Sequence, residues 1–285
     1  MTRTQIRQFL ALVDAGNFTL AARRINVAQP TLSMGIGELE KRLGSQLFIR
    51  EKRRIRLTEA GARLLPYARS IEQKFSLAES TITALPVPAK PVRLGLLHSI
   101  STLHVEEALA TYAGSPVEII EGSDRELSRA LANGGVDMAL TILPGGKTPE
   151  HAFELYSEPY LIALPEGHRL ADRETVSATE LAGETMIARR SCELLNLTSQ
   201  FFTERGVRPP FSLRTANDER AMAMVRAGIG LTLAPLSLER EGIVMVRLEK
   251  FDLQRTIGLI FNADWLSHFG KDHPLPRSFF RTLRR

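Results

Sequence analysis

The sequence predicts a multidomain α/β protein: a small helical module, then one long helix, then two α/β halves that make up the remainder. Three observations predict it. Apolar residues recur at helical spacing through positions 6–43, a four-and-three spacing runs from 64 to 85, and from 92 onward short apolar runs alternate with helical stretches.

In the first helix Ile6, Phe9, Leu10 and Val13 return to one face, and Gly16 with Asn17 supplies the stop. Phe18, Ala21, Ala22 and Ile25 make a second short helix ending near Asn26. Val27 and Ala28 lead into a third, where Pro30 suits a first turn. Leu32, Ile36, Leu39 and Leu43 stack on its inner side, which leaves Gln29, Pro30, Thr31, Ser33, Met34 and Gly37 outward or at the amino end. The short connection is that of a helix-turn-helix, and the outward residues are those a recognition helix offers to a major groove. Periodicity alone is equally that of a plain helical bundle with a polar surface.

Residues 46–49 and 55–57 read as two short strands, and the turn between them carries Arg50, Lys52, Arg53 and Arg54, with Arg56 close behind. A solvated charge run is the ordinary reading of such a cluster. Beside a helix-turn-helix it becomes a basic wing that neutralises phosphates and fixes register. Residues 1–60 hold eleven Lys or Arg against five Asp or Glu, a net of +6, so the whole-chain +5 leaves −1 for the other 225 residues. Positive charge confined to one fifth of the chain is the distribution of a protein with a single nucleic-acid surface. An anionic membrane is the alternative partner, but no strongly apolar amphipathic face backs the basic residues.

The runs FLALVDAGNFTLAARRINVAQPTLS, IGELEKRLGSQLFIR and RIRLTEAG together resemble the winged helix-turn-helix of LysR-type transcriptional regulators. The resemblance implies contacts to double-stranded promoter DNA from Gln29, Pro30, Thr31, Ser33 and the neighbouring Met34 in the third helix. It also implies contacts from Arg50, Lys52, Arg53 and Arg54 in the wing. The chain departs from the family pattern where a basic residue often follows the serine, since Met34, Gly35 and Gly37 stand there. Two interior glycines weaken a helix by about 1 kcal/mol each relative to alanine, which shifts binding energy toward the wing.

After Thr58, an expected N-cap, the long helix places Leu64, Ala68, Ile71, Phe75, Ala78, Ile82 and Leu85 on one stripe. Such spacing is the seam of a two-helix packing, or else the side of a long helix lying on its own effector domain. Pro66 bends it or shifts its start. The resemblance implies a homodimer through this helix, or a dimer of dimers, and contact with RNA polymerase if the protein activates. Three prolines in PVPAKP then mark a hinge. The expected domains are 1–58 (winged helix-turn-helix), 59–85 (linker helix), 86–91 (hinge) and 92–285 (effector domain). Within the last, lobe I covers about 92–160 with 266–285, and lobe II about 161–265.

From Val92 the strands VRLGLL, VEII and DMALTI alternate with helices, and a second set runs from YLIALP to TIGLIF. The LysR resemblance implies the periplasmic-binding-protein-like effector fold, with a small molecule between two lobes. Ligands in open α/β sheets sit beyond the carboxyl ends of strands. Ser99, Ser101 and Thr102 follow the first strand, Thr141 ends the third, and Thr215 with Asn217 ends a later one, so all are expected at the cleft. Helix capping and strand preference are their plainer roles. Arg189 and Arg190 follow ETMIA in an expected loop, where either could grip a carboxylate in bidentate fashion, which makes an anion the expected effector.

No P-loop, GxGxxG, G-x-S-x-G or H-E-x-x-H is present, so an enzyme is not expected, although two α/β halves also serve many enzymes. A ligand-binding module that uses its N-terminal part only to dimerise is the other rival. No cofactor is expected beyond the small-molecule effector, and the six histidines lack metal-ligand spacing. Cys192 is the single cysteine; beside two arginines it could carry a lowered pKa and sense oxidants, or be a quiet small residue. With no leader pattern and no run of eighteen apolar residues, the expected location is cytoplasmic, with no membrane partner.

Overall fold

A computed structural model describes residues 1–50, 55–82, 91–145 and 149–284. Lys52, Arg53, Arg54, Leu85 and the hinge prolines before Pro91 lie outside them, as do the side chains of Arg50 and Ile82. The chain divides into two compact units, residues 1–90 with 129–135, and the rest.

The first unit opens with α1 (Arg3–Ala15), held by a reciprocal cap in which Thr2 Oγ1 accepts from the Gln5 amide and Gln5 Oε1 from the Thr2 amide. Gly16 at φ +61° ends it, a backbone state that glycine enters without penalty. Asn17 caps α2 (Phe18–Arg24) by accepting from the amides of Thr19 and Leu20 at 2.8 and 3.1 Å. Helix α3 (Gln29–Leu43) follows after a short turn. Ile6, Phe9, Leu12, Ala21, Leu32, Ile36 and Leu39 are buried together, so the apolar faces expected from spacing meet in one core. Strands β1 (Phe48–Arg50) and β2 (Ile55–Leu57) pair antiparallel, and Glu40 Oε1 pins them to α3 by accepting from the amides of Leu47 and Phe48.

Helix α4 (Glu59–Ile82) starts at Thr58, whose Oγ1 accepts from the Gly61 amide at 3.0 Å, and Pro66 stands within it. The expected continuous seam is corrected here. Leu65 and Ala68 are buried in the module's core, Leu64 and Ile71 pack against it, and only Phe75 and Ala78 of the stripe are exposed among the described side chains. The three short helices leave an apolar face uncovered, and the near half of α4 covers it. Arg3 adds a charged clamp to Glu72, with Nη2 3.0 Å from Oε1, and sits 4.9 Å over the Phe75 ring.

In the second unit β3 (Val92–Leu97), α5 (Thr102–Ala110), β4 (Val117–Gly122), α6 (Asp124–Ala132) and β5 (Met138–Ile142) alternate as expected, with β3 parallel to both β4 and β5. Next comes β6 (Ala152–Pro165), a strand longer than YLIALP because Pro159 hides its first half from sequence reading. Then follow β7 (Thr175–Val176), β8 (Met186–Arg189), α7 (Leu195–Glu204), β9 (Phe211–Thr215), α8 (Asp218–Arg226), β10 (Thr232–Pro235), β11 (Ile243–Leu248) and β12 (Gln254–Phe261). Helices α9 (Ala263–Phe269) and α10 (Pro274–Leu283) complete the chain, α10 burying Leu275, Phe279 and Leu283.

The main sheet has the order β4-β3-β5-β12-β6-β11-β7, with β10 also on β6. Strand β12 pairs with β5 and with the first part of β6, whereas β10 and β11 pair with its later part, Tyr160 to Pro165. One strand thus runs through both halves. Lobe II is expected to extend to residue 265; β12, from residue 254, pairs with β5 and with the first part of β6. TIGLIF announces a strand but not its neighbours. A parallel pair, β8 with β9, adds to the second half.

Candidate functional site

Two surfaces concern function. On α3, Gln29, Pro30, Thr31, Met34 and Gly37 are exposed, Met34 by 63%, and Ser33 is half-buried. Gly35 is a different case from Gly37. A Cβ at Gly35 would stand 2.0 Å from Gln8 Oε1, so this glycine lets α3 lie close on α1; around Gly37 there is open space. Arg23, Arg24 and Arg56 are exposed in the same unit.

The second is the place in the effector domain where the expected cleft residues stand. Ser99, Ser101 and Thr141 are buried at the carboxyl ends of β3 and β5, and Thr215 is nearly so at the end of β9. Most are engaged. Thr141 Oγ1 donates to Asp124 at 3.2 Å, Thr215 Oγ1 accepts from the Asn217 amide, and Asn217 caps α8 by accepting from the Arg220 amide at 2.7 Å. Thr102 is exposed and donates to Glu219, which also holds Arg240. Ser101 Oγ is buried without a hydrogen-bond partner among the described residues.

Arg189 is corrected on both counts. It is the last residue of β8 rather than a loop residue, and it is only 2% exposed. The bidentate carboxylate partner is the protein's own Asp218 at the start of α8: Nε lies 2.9 Å from Oδ1, and Nη2 bonds Oδ2. Nη1 donates to the Leu233 carbonyl at 3.0 Å. Burial opposes the charge, yet Asp218 keeps the guanidinium's pKa above its ordinary value. The Nε–Nη2 face is taken by Asp218, and Arg190 is exposed.

Arg255, not singled out from the sequence, stands where groups of both halves meet. It is 3% exposed at the start of β12. Its Nε donates to Glu158 on β6 at 2.8 Å, its Nη1 to Ser99 Oγ at 2.8 Å and Glu193 Oε1 at 2.6 Å, and its Nη2 to the Ser99 carbonyl at 3.0 Å. Glu158 also accepts from the amide and hydroxyl of Ser237, and Tyr160 donates its hydroxyl to Glu193. Glu193 stands in the turn between β8 and α7; burial raises its pKa, but Arg255 and Tyr160 outweigh this and hold it below the usual carboxylate value. The available signal was a lone arginine heading an apolar strand in QRTIGLIF. Cys192, next in the chain, has its thiol pKa pushed up by burial despite Arg189, which corrects the expectation of a lowered one.

The regions flanking these sites match known families. Residues 4–62 match the bacterial regulatory helix-turn-helix protein, lysR family, and residues 87–268 match the LysR substrate binding domain. A probable hydrogen peroxide-inducible genes activator of Mycobacterium avium is 30% identical over 270 residues, covering 90% of this chain and 87% of the relative. The DNA-binding transcriptional dual regulator OxyR of Escherichia coli is 29% identical, covering 92% and 89%. A solved full-length OxyR variant from Pseudomonas aeruginosa shares the fold with a TM-score of 0.70 at 23% identity, covering 100% of this chain and 95% of that one. The chain belongs to the LysR family of DNA-binding transcriptional regulators, which respond to small-molecule effectors and are not enzymes.

Proposed function

We propose that this regulator reads promoter DNA with Gln29, Pro30, Thr31, Ser33 and Met34 on the outer face of α3, while Arg50, Lys52, Arg53 and Arg54 of the wing hold the phosphates. The observation that carries this is the exposed face Gln29–Met34 standing over a helix whose inner face is packed. Gln29 and Ser33 supply hydrogen bonds to base edges, and Met34 an apolar contact suited to a thymine methyl. The chain acts as an oligomer in the cytoplasm. The exposed Phe75 and Ala78 of α4 form the partner-facing remnant of its stripe, in a dimer or a dimer of dimers, and an activator would also contact RNA polymerase. Residues 1–58 form the reading module, 59–85 the linker helix, 86–91 the hinge, and 92–285 an effector domain whose second lobe ends before Gln254.

A small anionic effector binds between the lobes beside Ser99, Ser101, Thr102, Thr141, Thr215 and Asn217, and shifts the DNA module by binding two conformations unequally. Two relatives are named for hydrogen peroxide or share its regulator's name, but the raised thiol pKa of Cys192 and the lack of a second cysteine in the chain speak against a peroxide-sensing disulfide here.

The test is selection of bound sequences from random duplex DNA by the full-length protein and by a variant with Arg50, Arg53 and Arg54 changed to alanine. The expected result is a two-fold-related motif that the variant binds far more weakly. Equal binding by both proteins with no motif would overturn the proposal.

A further inference from the structure

The Arg255 cluster carries more charge than it needs. One guanidinium faces two carboxylates, and each partner is tied differently. Glu158 is 4% exposed, lies in the middle of β6 and is bonded to Arg255 Nε and to Ser237, so it belongs to the framework. Glu193 comes from a turn outside any strand or helix, reaches Arg255 with one oxygen, and leaves Oε2 buried without a hydrogen-bond partner among the described residues. A framework pair would already neutralise Arg255. The second carboxylate therefore occupies a seat, made by Arg255 Nη1 and the Tyr160 hydroxyl, that neutralising Arg255 does not require it to fill.

The seat also sits at the meeting of the lobes. Ser99 follows β3 in the first lobe, whereas Glu193 follows β8 in the second. A second glutamate of that lobe, Glu219, accepts from Thr102 just beyond Ser99 at 3.0 Å. One carboxylate of that lobe thus holds Arg255 and another holds Thr102 at the amino end of α5.

We propose that the seat on Arg255 is the binding site for the carboxylate of the effector, and that Glu193 is an intramolecular stand-in which the effector displaces. This rests on the effector reading above and deepens it by naming the chemical class and the competitor. Exchange of one carboxylate for another keeps the charge around Arg255 constant. The difference is that an external carboxylate leaves the 190–194 turn untethered, so occupancy is converted into release of a lobe-to-lobe tie. Apparent affinity for any external carboxylate is reduced by the fraction of molecules in which the seat is free.

The experiment is calorimetric titration of the full-length protein with benzoate and with succinate, for wild type, Glu193→Gln, Tyr160→Phe, and the double variant. Removal of the competitor is expected to tighten binding of at least one probe by roughly tenfold or more. Loss of the Tyr160 hydroxyl in the Glu193→Gln background is expected to weaken it again by about tenfold or more, the worth of one hydrogen bond to a carboxylate. A site elsewhere, opened merely by loosening of the cleft, would not respond to Tyr160→Phe. Equal affinity in wild type and Glu193→Gln, no binding to either, or a Glu193→Gln gain that Tyr160→Phe leaves untouched would each overturn the proposal. Selection of DNA with the same preparations separates the two ideas. A motif bound normally alongside any of those results sinks the seat and leaves the regulator reading standing, whereas absence of a motif sinks that reading.

Discussion

Replacing Asp218 by asparagine should cost the effector domain far more stability than an ordinary surface change. Arg189 is 2% exposed and Asp218 6%, and two of the three hydrogen bonds from the guanidinium go to this carboxylate. Asparagine is close in shape but carries no charge, so the variant keeps a buried cation beside a neutral amide. Breaking a buried pair by removing one partner costs about 3–5 kcal/mol, because the remaining charge stays desolvated. For a domain of this size that corresponds to a fall of roughly 6–20 °C in Tm. The pair joins the end of β8 to the start of α8, so the loss should appear in the transition of the effector domain and leave that of the DNA module in place. Differential scanning calorimetry with urea titration measures it. A companion variant, Arg189→Met with Asp218→Leu, removes both charges and should be less destabilised than Asp218→Asn alone. A loss below about 1 kcal/mol in Asp218→Asn, or a double variant worse than the single one, would refute the assignment of the pair as a desolvated ionic lock.

Three glycine and histidine changes follow from local geometry. Gly37→Ala should raise the stability of the DNA module by about 1 kcal/mol, since the site is open and alanine is the better helix former. Gly61→Ala should lower it by about 2–3 kcal/mol, because the new Cβ would stand 2.2 Å from the backbone oxygen of Leu47; urea unfolding of the two variants checks the opposite signs. His273 accepts from the Leu275 amide at its Nδ1, and burial lowers its pKa below the ordinary 6.5. The unfolded chain therefore takes up the proton first, so stability is complete above pH 6.5 and falls as acidification proceeds below it. His273→Gln should flatten that part of the profile when Tm is followed from pH 7.5 to 5.

The DNA module was legible because its spacing and its caps agree. Thr2, Asn17 and Thr58 stand one residue before the helices they cap, and the apolar positions of α1 to α3 all point into one core. The long stripe was legible as a stripe but not as to its partner, since Leu64, Ala68 and Ile71 would look the same facing a second chain or their own module. The cleft was least legible. Ser99 and Thr141 were picked out by their place after strands, yet Arg255, which bonds Ser99, stands 156 positions from it. A bond across that separation leaves no local pattern. Arg189 shows the converse difficulty, for its bidentate geometry was anticipated while its partner, Asp218, was not.

Because the near half of α4 is part of the core of the reading module, a tilt of the helix as a straight rod would carry the module with it. Twenty-four residues of helix are about 36 Å long, so a tilt of about 5° applied at the far end sweeps the near end through about 3 Å. That is close to the ~3.4 Å rise of one base pair. A rearrangement too small to alter any contact within the module would therefore suffice to move its grip on a duplex by one step.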